Sequence, residues 1–308
     1  MRESLSSPAE WQSSVISVPP LARNEDLDLA LEPNRALIRH LESGGIDIIM
    51  CGGNANFYNI SISEYEDVVD FLADAVAPGT LVIPSIGPEF GRIRDQVPIL
   101  ARKRFPTAML LPTIANMTQD GLEQAIRWAV DGLGMPIVLY IKDERYLDVD
   151  RIGRLERDGC VLFVKYAIVR EDPSVDDYLT RLVDEIGIDK IVSGIGERPA
   201  PVHFRDFGLR AFTTGSGSVA PANSMRLLRT LQAGDFAKAD EIWTTFKPLE
   251  DLRDAHGPAY VLHEAVTAAG IGDMGPMLPL MHRLPPDLRA PVGEAARALF
   301  AIEQDIRA

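Results

Sequence analysis

Cysteine is scarce in this chain. Cys51 and Cys160 are the only two in 308 residues, and each sits inside an apolar run. Two cysteines exclude a disulfide framework and a structural zinc site built on thiolates alone; core thiols in a reducing cytoplasm are expected. Histidine is nearly as sparse. His40, His203, His256, His263 and His282 show neither H-E-x-x-H nor H-x-H spacing, so no catalytic metal site is expected. Basic charge is outweighed, with 31 Lys and Arg against 45 Asp and Glu, a net charge of −14. Such a chain repels nucleic acid and anionic membranes, which removes both as expected partners. A local site can still be positive and hold an anionic substrate. No apolar run approaches the ~20 residues of a membrane helix. The first twelve residues are polar and lack an apolar core, so no signal peptide is expected.

What is present is a large apolar fraction in short pieces. Hydrophobic residues make up 46% of the chain and the mean hydropathy is +0.01, as in a globular protein with a sizeable core. Eight short runs read as strands: 14–18, 46–51, 80–84, 108–111, 136–141, 160–165, 190–193 and 211–214. Several are continuously apolar, as parallel strands buried on both faces are. Amphipathic stretches alternate with them, at 31–43, 64–77, 120–133 and 174–186; Ser61 and Glu64 form a capping-box pattern before the second. Eight strands alternating with helices predict an α/β fold, a (β/α)₈ TIM barrel. A Rossmann sheet is the alternative, but its G-x-G-x-x-G turn is absent after the first strand, where Pro19-Pro20-Leu21 stands. Beyond Gly234 the periodicity is helical, with a proline- and methionine-rich break at 276–286. The expected organisation is a polar segment at 1–12, a barrel at 13–233 and a helical C-terminal subdomain at 234–308.

Barrel active sites lie at the C-terminal ends of the strands. Several polar residues fall there. Lys165 ends the sixth predicted strand, behind Val161-Leu162-Phe163-Val164, and Tyr140 ends the fifth. Gly52, Gly53 and Asn54 follow the second, and Thr214, Gly215 and Ser216 follow the eighth. A buried lysine is costly as a cation, and the neutral amine that burial favours can condense with a ketone to a Schiff base. The competing reading is a strand-end lysine whose ammonium reaches solvent. Lys142 shares the face of Tyr140; a solvated loop lysine beside Asp143 and Glu144 is the preferred reading for it. Glu197-Arg198 reads as a surface pair, and His203 as a partly exposed helical histidine.

Four segments carry a resemblance: Phe163-Val164-Lys165-Tyr166, the Tyr140 to Arg145 segment, the run from Ala55 to Glu64, and the run from Ala211 to Pro221. Together they resemble the dihydrodipicolinate synthase and N-acetylneuraminate lyase family of class I, Schiff-base aldolases. The resemblance spans nearly the whole chain. It implies an imine at Lys165 and proton relay by Tyr140; Gly52, Gly53, Asn54, Arg145, Thr214 and Ser216 are the candidate substrate contacts, against the competing readings of a tight turn at Gly52-Gly53, surface ion pairing at Arg145 and an ordinary polar loop at Thr214 and Ser216. It also implies a lyase that acts on pyruvate or another 2-oxo acid without metal or organic cofactor, and a homotetramer or homodimer. Two departures matter. The strand-two loop is Gly52-Gly53-Asn54, closer to the Gly-Gly of the related 5-dehydro-4-deoxyglucarate dehydratases than to the synthase's threonine pair. The synthase's second tyrosine, after strand four, is replaced by Pro112-Thr113-Ile114. Both lean toward dehydration of a 2-keto-3-deoxy sugar acid. A ligand-binding barrel without turnover and a phosphate-binding barrel enzyme are the alternatives.

Overall fold

Strand β1 (Ile16–Ser17), β2 (Ile48–Met50), β3 (Leu81–Ile83), β4 (Ser85–Ile86), β5 (Met109–Leu110), β6 (Ile137–Ile141), β7 (Val161–Tyr166), β8 (Ile191–Ser193) and β9 (Thr213–Thr214) are all parallel. They come from a computed structural model that describes residues 1–308. The hydrogen-bonded orders are β3-β2-β1-β9 and β4-β5-β6-β7-β8. Two links close these arcs into one barrel. Segments β3 and β4 are a single stave interrupted at Pro84, whose missing N–H breaks the ladder while its carbonyl still accepts from the Met109 amide at 2.8 Å. On the opposite side Ser193 and Phe212 form a parallel bridge. The eight predicted strands are therefore all present, and the fold is the predicted TIM barrel.

A helix follows every stave: α2 (Leu31–Ser43), α3 (Ile62–Ala75), α4 (Phe90–Ala101), α5 (Gln119–Leu133), α6 (Val149–Arg157), α7 (Asp177–Ile186), α8 (Ala200–Phe207) and α9 (Pro221–Gln232). The predicted capping box at α3 is half formed. The Ser61 hydroxyl accepts from the Glu64 amide at 3.2 Å, but the Glu64 carboxylate turns away to a two-point ion pair with Arg23. A charged guanidinium outcompetes a backbone N–H for that carboxylate.

Three more helices lie beyond the barrel strands, α10 (Phe236–His256), α11 (Pro258–Ala268) and α12 (Pro286–Arg307), and no strand follows Thr214. At the other end of the chain α1 (Pro8–Gln12) buries Trp11 against Phe163, ring centroids 5.4 Å apart, while the indole N–H donates to the Asp189 carbonyl at 3.1 Å. Phe163 lies on β7 and Asp189 just ahead of β8, so α1 packs at the N-terminal end of the barrel, away from the catalytic rim. No helix is long and apolar enough to cross a membrane.

Candidate active site

The ladder between β6 and β7 slips by one residue at its start: Ile137 pairs with Val161, but Val138 pairs with Phe163. This bulge puts Tyr140 opposite Lys165 at the C-terminal end of both strands. Paired residues of a parallel ladder face the same way, so both side chains enter the barrel mouth. The Lys165 ammonium lies 3.6 Å from the centre of the Tyr140 ring. Lys165 is 3% exposed and makes no hydrogen bond or ion pair with the protein. Burial, then the positive charges of Lys142 and Arg253, push its pKa well below the ordinary lysine value. Burial pushes the Tyr140 phenol up to about 12, a rise that Arg253 reduces. Burial thus favours the neutral amine at Lys165 and the protonated phenol at Tyr140.

Both line a cavity of about 380 Å³, with Val18, Gly53, Asn54, Tyr58 and Met109 on one side and Gly194, Thr213, Gly215 and Arg253 on the other. Lys142, Lys165 and Arg253 are its only charged lining residues; no carboxylate lines it. Two roomier depressions, of about 550 and 580 Å³, lie beside α1, α8 and α9 and between α4 and α5. Neither holds a lysine; the smaller cavity at the rim is the one that holds the Lys165 amine.

The sequence-predicted residues divide. Lys165, Tyr140, Gly53 and Asn54 meet in the cavity. The Asn54 amide nitrogen is engaged, donating to the Val18 carbonyl at 2.8 Å. Gly52 lies behind the wall, where a Cβ would stand 2.7 Å from the Met109 methyl; close packing accounts for its lack of a side chain. Thr214 and Ser216 do not reach the cavity. The Thr214 hydroxyl donates to Glu197 and accepts from the Gly217 amide, and the Ser216 hydroxyl donates to Glu250 at 2.5 Å. The lining positions here are Thr213 and Gly215, the opposite parity, because alternate residues of a strand point to opposite faces. Arg145 is also elsewhere. It is largely exposed and gripped by its neighbour Asp143 at 2.6 Å.

Three polar residues at or behind the cavity, Tyr58, Arg253 and Glu250, escaped the sequence reading, and Glu197 was misread. Tyr58 enters the cavity from the loop before α3 and donates to the Pro112 carbonyl at 3.3 Å. A tyrosine therefore stands beside the very segment where the synthase pattern had lost one. Burial, then Tyr140, then Glu89, raise its pKa. Arg253 arrives from α10 with its guanidinium against two rim glycines: a Cβ on Gly196 or Gly215 would lie 2.9 Å from one of its terminal nitrogens. Behind it are the buried carboxylates of Glu250, which it hydrogen-bonds, and Glu197, at 3.8 Å. Glu197 also accepts from Thr214 and from Ser224, the latter at 2.9 Å. It is no surface pair with Arg198, which instead binds Asp251 and Asp254 at 2.5 and 2.6 Å. His203 is likewise buried, its Nδ1 2.8 Å from the Ser193 hydroxyl.

The fold is shared with solved dihydrodipicolinate synthases. The solved synthase from Oceanobacillus iheyensis superposes with a TM-score of 0.82 at 22% identity, over 94% of this chain and 98% of that one. The synthase from Bacillus clausii gives 0.82 at 23%, over 94% and 98%. Sequence comparison agrees with the resemblance carried by the motifs. A probable 5-dehydro-4-deoxyglucarate dehydratase of Rhizobium rhizogenes is 28% identical over 263 residues, 81% of this chain and 84% of that protein. A second, of Rhizobium meliloti, is 25% identical over 279 residues, 87% and 89%. A 4-hydroxy-tetrahydrodipicolinate synthase of Syntrophobacter fumaroxidans is 23% identical over 275 residues, 87% and 88%. No protein-family model matches the chain.

Proposed function

We propose that this chain is a Schiff-base lyase of the class I aldolase type, acting on a 2-oxo acid. The observation that carries the reading is Lys165: a buried, unpaired amine at a strand's C-terminal end, facing a protonated tyrosine in a cavity without carboxylates. The neutral amine attacks the ketone carbon. One proton from the amine and one from Tyr140 pass to the oxygen, which leaves as water, and an iminium remains. That iminium accepts an electron pair when the neighbouring carbon loses a proton, giving an enamine. In a dehydration the enamine pair then expels hydroxide from the next carbon. In a retro-aldol cleavage the same enamine forms when a C–C bond breaks as the β-hydroxyl loses its proton. Tyr140 is the group placed to donate to and accept from these oxygens. Gly53 and Asn54 form the wall that would meet the 2-oxo acid's carboxylate.

Dehydration of a 2-keto-3-deoxy sugar acid is favoured over pyruvate condensation. The Gly52-Gly53 loop and the dehydratases among the sequence relatives support it. The mechanism needs no metal or organic cofactor. We also propose a homo-oligomer, a homotetramer or homodimer, to be checked by sedimentation. The chemical test is incubation with pyruvate and with sugar-derived 2-oxo acids, borohydride reduction, and mapping of the adduct by mass spectrometry. An adduct on Lys165 is expected; no adduct, or one elsewhere, would sink the reading.

A further inference from the structure

Lys142 is the one loop charge at the cavity mouth that has no partner. It lies two residues beyond Tyr140, on the same face of the chain as it leaves β6, with its ammonium 5.8 Å from the centre of the Tyr140 ring. By accessible area it is exposed, and it forms part of the cavity lining. Two carboxylates follow it immediately in sequence, and neither neutralises it. Asp143 is taken by Arg145 through two hydrogen bonds, at 2.9 and 2.6 Å. Glu144 is taken by Arg170 at 2.5 Å. Arg145 of this loop and Arg170 of the loop after β7 thus consume its acids and leave the lysine free. In a chain with a net charge of −14, an unpaired lysine facing a cavity with no carboxylate in its wall is set to receive an anion.

A 2-oxo acid bound at Lys165 already carries one carboxylate beside its ketone. We infer that Lys142 binds a second anionic group at the far end of the substrate, and so selects dianionic 2-oxo acids over monoanionic ones. This inference rests on the imine reading above. It assigns to Lys142 the anion-gripping part that the sequence pattern assigned to Arg145, which the structure directs outward. The ammonium contributes as a point charge with rotatable donors, so it fits a terminal carboxylate on a flexible chain.

The test compares 2-oxoglutarate with 2-oxopentanoate, which have equal chain length and differ in the terminal carboxylate. Pyruvate serves as the reference. The readout is the concentration of each giving half-maximal borohydride trapping at Lys165. The wild-type protein is expected to favour 2-oxoglutarate by about tenfold, with the ratio shrinking as salt is raised. Lys142→Gln should bring the ratio toward one, and Lys142→Arg should retain most of it. The ratio cancels any effect of Lys142 on the reactivity of Lys165, and the salt series reads the same charge without a variant. Trapping with pyruvate but no preference in the wild type, or a preference that survives Lys142→Gln, overturns this inference alone. No adduct with any of the three acids overturns the imine reading, and this inference with it.

Discussion

Tyr140 and Lys165 are register partners across β6 and β7 because β7 carries one residue more than β6 ahead of them. Had the register that begins at Ile137 and Val161 continued, Tyr140 would face Val164, and Lys165 would point to the opposite side of the sheet. The bulge is thus the local device that joins amine and phenol. Replacing Tyr140 by Phe keeps the ring over the amine and deletes the hydroxyl. The expected result is retained borohydride trapping at Lys165 with turnover reduced by roughly 10² to 10⁴. Turnover at the wild-type rate would show the ring, rather than the hydroxyl, to be the contribution.

Gly194 holds the amine from the other side. A Cβ there would lie 2.7 Å from Cγ of Lys165 and 2.7 Å from the Tyr166 carbonyl oxygen. The carbonyl cannot withdraw without breaking the 2.6 Å hydrogen bond it accepts from the Gly194 amide. Gly194→Ala should therefore displace Lys165 and slow imine formation by at least about tenfold, since a misplaced nucleophile loses its attack geometry. Circular dichroism should show the fold retained. Trapping at the wild-type rate would mean the lysine stem simply moves aside.

Much of this was legible in the sequence, for reasons visible in particular residues. The staves were readable because parallel strands are buried on both faces and stand out as short apolar runs. Lys165 was readable because a charge breaks such a run. Helices α4, α6 and α8 were less so: α4 contains Pro98, α6 has nine residues, and α8 has eight with Pro201 among them. The parity error at Thr214 and Ser216 arose where β9 is only two residues long, too short for alternation to declare which side faces the cavity. Arg253 and Glu250 were invisible for a different reason. They lie on α10, more than 50 residues beyond the Glu197 loop they serve, and only the tertiary fold brings them under the rim.

Lys165 also leaves a mark on stability. Its folded pKa is depressed, so below the unfolded value the unfolded chain binds a proton that the native protein resists. Stability then rises with pH over that window, and the lysine is most costly in acid. Lys165→Met removes the cost while keeping apolar volume. The variant should be more stable than wild type at pH 7, and by more at pH 6 than at pH 9. Urea midpoints across that range measure it. A destabilised variant, or a difference independent of pH, would mean the amine is better solvated than its burial indicates.

The Glu197–Arg253–Glu250 cluster predicts the opposite slope. Burial, then Glu250, push the Glu197 carboxyl up to about 7, while Arg253, Thr214 and Ser224 pull it down. Its folded pKa is thus raised above the ordinary 4.5, so between these values the native protein holds a proton that the unfolded chain has lost. Stability from this group falls as pH rises through the window and levels off above about 7. Glu197→Gln keeps a hydrogen-bonding side chain and cannot ionise; its stability relative to wild type should climb from pH 5 to pH 8. Arg253→Met tests the cluster's charge balance. It strands two buried carboxylates without their countercharge and should cost about 3–5 kcal/mol at pH 8. That cost should shrink at pH 5, where protonation of Glu197 relieves it. Equal losses at both pH values would assign Arg253 to packing between its two glycines rather than to the carboxylates behind it.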